Sequence, residues 1–212
     1  MQLDCGISSV MTKYPLFNSH LDLAKSYWKK LLKPNSIVID ATCGNGHDTL
    51  FLAEIVLRKG MLIAIDIQSE AILQTKFRIK AQIPPEIAQN VQYFNQCHSS
   101  FPAFIQEESV ALIVYNLGYL PGANKDLTTE EGSTLKSLAN ALKLIAPGGA
   151  LSVTCYPGHP AGKIEEAKVL EFASTFDPKV WNSSHTRFLN RNASPSLLII
   201  QKLLPNNTLL GG

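Results

Sequence analysis

The stretch "SIVIDATCGNGHDTLFLA", residues 36–53, reads as three pieces in succession. Ile37, Val38 and Ile39 form a short apolar run that closes on an acid, Asp40. "CGNG" supplies a glycine turn, and "HDTLFLAEIVLRK" then continues as a helix with Gly60 as its stop. A strand that feeds a glycine turn and opens a helix is the unit of which open α/β sheets are made.

The same alternation extends in both directions. Upstream, "SHLDLAKSYWKKLL" (19–32) puts Leu21, Leu23, Ala24, Trp28, Leu31 and Leu32 on one helical stripe, stopped by Pro34 and Asn35. Downstream come the strand "MLIAIDI", the helix "SEAILQTKFRIKAQI" halted by Pro84 and Pro85, and the strand "VQYF". A short helix around "FPAFIQEE" precedes the strand "VALIVYN"; the helix "EEGSTLKSLANALKLI" is closed by "APGG"; the fifth strand is "ALSVTCY". After the helix "AGKIEEAKVLEFASTF", "KVWNSSHTRFL" and "SPSLLIIQKLL" read as two strands whose short connection predicts antiparallel pairing. Apolar strands alternating with helices predict an α/β fold, a doubly wound and mostly parallel sheet with an antiparallel C-terminal strand. The expected organisation is one domain: an N-terminal helical extension over residues 1–33, a core over 34–204 and a tail over 205–212.

Composition narrows the class. Of 212 residues, 45% are hydrophobic and 17% charged, enough to bury a core, and the net charge of +2 permits a nucleic-acid partner without arguing for one. Cys5, Cys43, Cys97 and Cys155 have neither metal-type spacing nor the pattern of a disulfide framework. The start lacks the features of a signal peptide and no apolar run is long enough to span a membrane, so the expectation is a cytoplasmic protein with reduced thiols and no membrane contact.

In such sheets ligands lie beyond the carboxyl ends of the strands. Those ends are Asp40–Gly46, Asp66–Gln68, Asn95–Ser99, Asn116–Lys125 and Tyr156–Lys163, where most of the unusual polar residues collect. Gly44 and Gly46 let backbone approach a ligand, and Asp66 ends the second strand where an acid can accept bonds from ribose hydroxyls. A dinucleotide site would need a third glycine near Thr49; the chain has none, and Asp40 and Asp48 would repel a pyrophosphate. Those acids suit a ligand carrying an ammonium and a sulfonium, and S-adenosylmethionine is such a ligand. The competing reading is an ordinary strand-to-helix turn.

The fourth strand ends in "NLGYLPGANK", residues 116–125. The Asn116 side-chain carbonyl and the Leu117 carbonyl can accept bonds from a substrate N–H, Gly118 lets the backbone face a ligand, and Tyr119 offers a flat face. The set fits methyl transfer to an amine, whose protons must be directed away so that its lone pair meets an electrophilic carbon about 3–3.5 Å away. No metal is required.

Four segments together, "DATCGNGHDTLFLA", "AIDIQ", "NLGYLPGANK" and "YPGHPAGK", resemble the MnmM (YtqB-like) methyltransferases, long labelled putative rRNA methylases, over most of the chain. The resemblance implies a Rossmann-like class I methyltransferase using S-adenosylmethionine and yielding S-adenosylhomocysteine. The implied reaction is methylation of the 5-aminomethyl group on the wobble uridine of tRNA, giving 5-methylaminomethyl-2-thiouridine. By motif, Asp40, Thr42, Gly44, Asn45, Gly46, His47 and Asp48 would form the donor turn; Asp66 and Gln68 would hold the ribose side; His98 would lie near adenine. Asn116, Leu117, Gly118 and Tyr119 would face the amine, with Tyr156, Gly158, His159, Pro160 and Gly162 in the opposing loop. Ala123, Asn124 and Lys125 stand where the family has Gly-Asp-Lys, on the substrate side.

His159 can be read as a proton acceptor for the amine or as a loop hydrogen-bonder, and His20 as a pocket residue or a structural one. For RNA, Lys125 and Lys163 flank the expected mouth; Lys25, Lys29, Lys30, Lys33, Arg187 and Arg191 are further cations. Other readings are methylation of rRNA or of a small-molecule amine, and a nucleotide-binding module without turnover. Partners are then tRNA and, compatibly with the sequence, a second copy in a homodimer.

Overall fold

Apolar runs bounded by glycine and proline become the strands of one seven-stranded sheet. The computed structural model describes residues 16–118 and 131–205. In chain order the elements are α1 (His20–Leu31), β1 (Ile37–Asp40), α2 (His47–Val56), β2 (Met61–Asp66), α3 (Ser69–Gln82), α4 (Pro85–Ala88) and β3 (Val91–Asn95), then β4 (Val110–Leu117), α5 (Glu131–Leu144), β5 (Ile145–Cys155), α6 (Pro160–Ser174), β6 (Trp181–Thr186) and β7 (Ser196–Lys202). The strand order is β3-β2-β1-β4-β5-β7-β6. β1 to β5 pair in parallel, β7 runs antiparallel to β5, and β6 antiparallel to β7. The expected doubly wound sheet and its terminal hairpin are therefore present. The order reverses between β1 and β4, which places the crevice of an open α/β sheet beyond Asp40 and Asn116.

Alternation along the strands sorts side chains to the two faces. Ile39, Ile63, Ile65, Ile113 and Tyr115 pack against Leu138 and Ala141 of α5 and Val169 and Ala173 of α6. Val38, Leu62, Leu112 and Val114 pack against Leu23 and Trp28 of α1, Leu52 and Val56 of α2, and Ile79 of α3. Among these, α1 is part of the core. Trp28 is buried and its indole N–H donates to Ser152 Oγ of β5 at 3.0 Å. A fully buried large side chain contributes about 1.5–3 kcal/mol, so this residue fixes α1 across the carboxyl half of the sheet. Ser19 caps α1, accepting from Asp22 N at 3.1 Å while Asp22 Oδ2 accepts from Ser19 N at 3.1 Å.

One expectation needs correction and two need extension. Residues 101–108 form turns and no helix: Ile105 N bonds Pro102 O at 3.1 Å, Glu108 has φ 55, and Phe101 and Ile105 are drawn onto the core. Pro85 does not only halt α3; it opens the short α4, where its fixed φ suits a first helical position. β5 begins at Ile145, so "APGG" lies inside it, and the register with β4 shifts between Val110 and Leu112. No helix among the described residues is long and apolar enough to cross a membrane.

Candidate active site

The glycine turn is held from beneath and from outside. Asp40, fully buried at the end of β1, accepts from Thr49 Oγ1 at 2.6 Å and from Thr42 N at 3.3 Å. Burial pushes its carboxyl up to about 7, and the nearby Asp48 and Asp66 push the same way. Gly46 takes φ +76, and a Cβ there would lie 2.8 Å from the Cα of Thr75, so α3 leaves room only for glycine. Thr75 Oγ1 donates to Gly44 O at 3.1 Å. Arg78, also on α3, donates from Nε to Asn45 O at 2.7 Å, and its Nη2 lies 3.2 Å from His47 Nε2. A guanidinium only donates, so His47 Nε2 accepts. Asn45 and His47 are thereby engaged by α3.

Asp66, at the end of β2, accepts from Gly44 N at 2.9 Å on one oxygen and from Gln68 N at 3.0 Å on the other. The Ile67 N–H also bonds this carboxylate, and of its roughly four lone-pair sites at least one remains open. Burial raises this carboxyl above its usual range, with the backbone bonds acting against the shift. Asn95 of β3 fixes the same strand end, donating from Nδ2 to Asp66 O at 3.0 Å and Ile67 O at 2.9 Å. Beyond β3, His98 is buried and burial lowers its pKa; its Nδ1 has no hydrogen-bond partner among the described residues. The backbone there is pinned through Ser137, whose Oγ donates to His98 O at 2.6 Å and so accepts from Tyr115 OH at 2.8 Å.

At the end of β4 the arrangement is more specific. Asn116 N donates to Thr42 Oγ1 at 2.7 Å, and Asn116 Nδ2 donates to Asp48 Oδ2 at 3.1 Å. The other Asp48 oxygen lies 3.4 Å from Lys25 Nζ of α1. Asp48, expected to face a cationic ligand, is thus matched to the chain's own ammonium. Leu117 is buried and in register with Cys155 of β5. At Gly118 a Cβ would lie 3.0 Å from Cδ2 of Tyr156, so the ring of Tyr156 packs on bare backbone. The Tyr156 hydroxyl is 3.4 Å from His20 Nε2, with the two rings edge to face at 5.6 Å. Burial pushes Tyr156 up to about 12, with Asp48 adding to it. Burial also lowers the His20 pKa, against the pull of Asp48 and Asp22. His20, Lys25, Asp48, Asn116 and Tyr156 therefore converge on one mouth.

His159 caps α6, its Nδ1 accepting from Gly162 N at 3.0 Å. That cap uses the lone pair a base would need. Lys163, exposed, follows in the first turn of α6. Tyr119, Asn124 and Lys125 lie outside the described residues. Sequence reading did not single out Lys25 as a partner of Asp48, nor Arg78, Asn95 or the half-exposed Ile67 beside Asp66. Only the apolar residue directly after a strand-ending acid, Ile67, carried a readable signal for a flat ligand face.

The sequence profile of the family described as Putative rRNA methylase matches residues 62–202. A chloroplastic tRNA (mnm(5)s(2)U34)-methyltransferase of Arabidopsis thaliana is 36% identical over 188 residues, which span 85% of this chain and 68% of the relative. A solved structure of a putative rRNA-methylase from Clostridium thermocellum has a TM-score of 0.82 and 33% identity, covering 88% of this chain and 99% of its own. A putative methyltransferase of Streptococcus mutans, solved in complex with SAH, has a TM-score of 0.77 and 29% identity, with coverages of 88% and 99%.

Proposed function

This chain belongs to the putative rRNA methylase family, and from that membership we propose that it is an S-adenosylmethionine-dependent methyltransferase acting on the 5-aminomethyl nitrogen of the tRNA wobble uridine to give 5-methylaminomethyl-2-thiouridine. The relationship to the chloroplastic tRNA methyltransferase and to the SAH-bound structure supports the acceptor and the donor respectively. One observation carries the reaction type: Asn116, beside the glycine turn, is held by Asp48 through its amide nitrogen, which leaves its carbonyl oxygen to accept from a substrate N–H.

The residues fit the donor. Asp40, Asp48 and Asp66 surround the turn, and their mutual repulsion adds to the burial that raises Asp40 to about 7; a cation among them relieves that repulsion. Asp66 can accept a ribose hydroxyl, Ile67 offers an apolar face beside it, and His98 Nδ1, without a hydrogen-bond partner among the described residues, lies beyond the adjacent strand end. When bound, S-adenosylmethionine supplies a methyl carbon on a positively charged sulfur.

The chain's own residues orient the acceptor. With Nδ2 given to Asp48, Asn116 presents Oδ1 to the substrate and can accept one N–H of the amine, turning the lone pair toward the donor side. Lys25 balances Asp48, so this carboxylate does not hold the amine as an unreactive ammonium. His20, kept neutral by burial at neutral pH, can accept a proton at the same mouth. Calorimetric titration with S-adenosylhomocysteine tests the donor half: binding is expected for the wild type and should weaken at least tenfold in Asp66→Ala. Modified-nucleoside mass spectrometry of tRNA from cells lacking this chain tests the acceptor half. The 5-aminomethyl precursor should accumulate; a normal profile would refute the assignment.

A further inference from the structure

We propose that the β6–β7 connection, residues 187–195, with the segment entering α1, is the surface that docks the single-stranded anticodon loop of the substrate. The inference rests on the tRNA reading above and extends it to a place on the molecule. Ser196 of β7 is in register with Cys155 at the carboxyl end of β5, so the connection emerges on the same edge of the sheet as the candidate active site. It is tied to the mouth through α1. Arg191 Nη1 donates to Asn18 O at 2.9 Å, and two residues further the His20 ring meets Tyr156.

The surface chemistry suits unpaired nucleotides. The Arg191 guanidinium lies 4.3 Å from the centroid of the Phe188 ring, which itself contacts Phe17 at 5.9 Å. Leu189 is 97% exposed and Leu16, next to Phe17, is 86% exposed, so apolar surface flanks a stacked cation. Arg187 is held in place by Glu166 with its side chain 42% exposed. From Pro178 to the end of the sequence there is no Asp or Glu, so no acid of this segment opposes a phosphate chain. Single-stranded RNA is read by stacking on aromatic rings and guanidinium planes, with cations along the backbone. A wobble base drawn out of its loop into the cleft leaves its neighbours at the rim, where this connection stands.

The test uses the full-length protein and a fluorescent anticodon stem-loop, followed by anisotropy over a salt series, with S-adenosylhomocysteine affinity measured separately and oligomeric state by light scattering. Leu189→Asp and Arg191→Ala should each weaken RNA binding by about tenfold or more. Arg191→Ala should lower the salt slope by roughly one, and Arg191→Lys should restore the slope but not the affinity. Donor-product affinity should stay at the wild-type value in all three. Unchanged RNA binding in both Leu189→Asp and Arg191→Ala overturns the proposal. So does a wild-type dimer that Leu189→Asp converts to monomer while RNA binding persists, since a second copy then covers the surface. A wild type that methylates some other acceptor and does not bind the stem-loop refutes the tRNA reading itself, and this surface falls with it.

Discussion

Asn116 and Asp48 meet across the mouth of the crevice, amide nitrogen to carboxylate oxygen at 3.1 Å, although 68 positions separate them in the chain. A carboxylate only accepts, so the contact settles which end of the amide faces Asp48. In the proposed reaction the carbonyl end is then the one offered to the substrate.

Removing the Asn116 amide should slow transfer without loosening the donor. Asn116→Ala is expected to lower kcat by about 10²-fold, the scale of a misplaced nucleophile, with S-adenosylhomocysteine affinity within about twofold of wild type. Asp48→Ala, which frees the amide to rotate, should lower kcat in the same direction by less. Steady-state kinetics with labelled donor separates the two; an Asp48→Ala enzyme with unchanged kcat would show that amide orientation is immaterial.

His159 should behave as a helix cap. Its Nδ1 accepts from Gly162 N at 3.0 Å, a role asparagine can fill and alanine cannot. Thermal melts should place His159→Ala about 1 kcal/mol below wild type and His159→Asn close to it, with His159→Asn keeping most of the activity. A stable His159→Asn enzyme with activity reduced about a thousandfold would restore the reading of His159 as a base.

Asp40 predicts a pH dependence of two linked quantities. Its carboxyl is raised to about 7 in the folded chain against about 4 in an unfolded one. Between those values the folded chain holds a proton the unfolded chain has released, so this group's contribution to stability falls as pH rises toward 7 and is level above it. A cationic ligand favours the ionised form, so binding near pH 6 should release a proton. Calorimetry in two buffers of different ionisation enthalpy measures that release, which Asp40→Asn should abolish.

Gly46→Ala should destabilise the fold by about 1–3 kcal/mol, from a left-handed backbone position and from a contact with backbone. The new methyl would lie 2.8 Å from the Thr75 Cα. Because that atom remains after truncation of the side chain, the double variant with Thr75→Ala should melt no higher than Gly46→Ala alone.

The parallel sheet was readable because its strands are continuous apolar runs punctuated by glycine and proline, and Asp40, Asp66 and Asn116 were readable as the polar residues that end such runs. What was not readable depended on distant contacts. "FPAFIQEE" has helical propensity, but burial of Phe101 and Ile105 against the core and a single turn at Pro102 prevail. That Thr75 of α3 lies against Gly46 and Tyr156 against Gly118 has no local signature. Lys25 belongs to a helix that reads as a solvated lysine face, and only the folded chain brings it to Asp48. The bond from Arg191 to Asn18 spans 173 positions and has no local signature.

The most direct test of the central claim is a transfer assay with purified protein, S-adenosylmethionine labelled in the methyl group, and tRNA carrying 5-aminomethyl-2-thiouridine at the wobble position. Nucleoside analysis of the product should find the label in 5-methylaminomethyl-2-thiouridine, with transfer by Asn116→Ala slower by about 10²-fold. Label in any other nucleoside, or equal rates for wild type and Asn116→Ala, would contradict it.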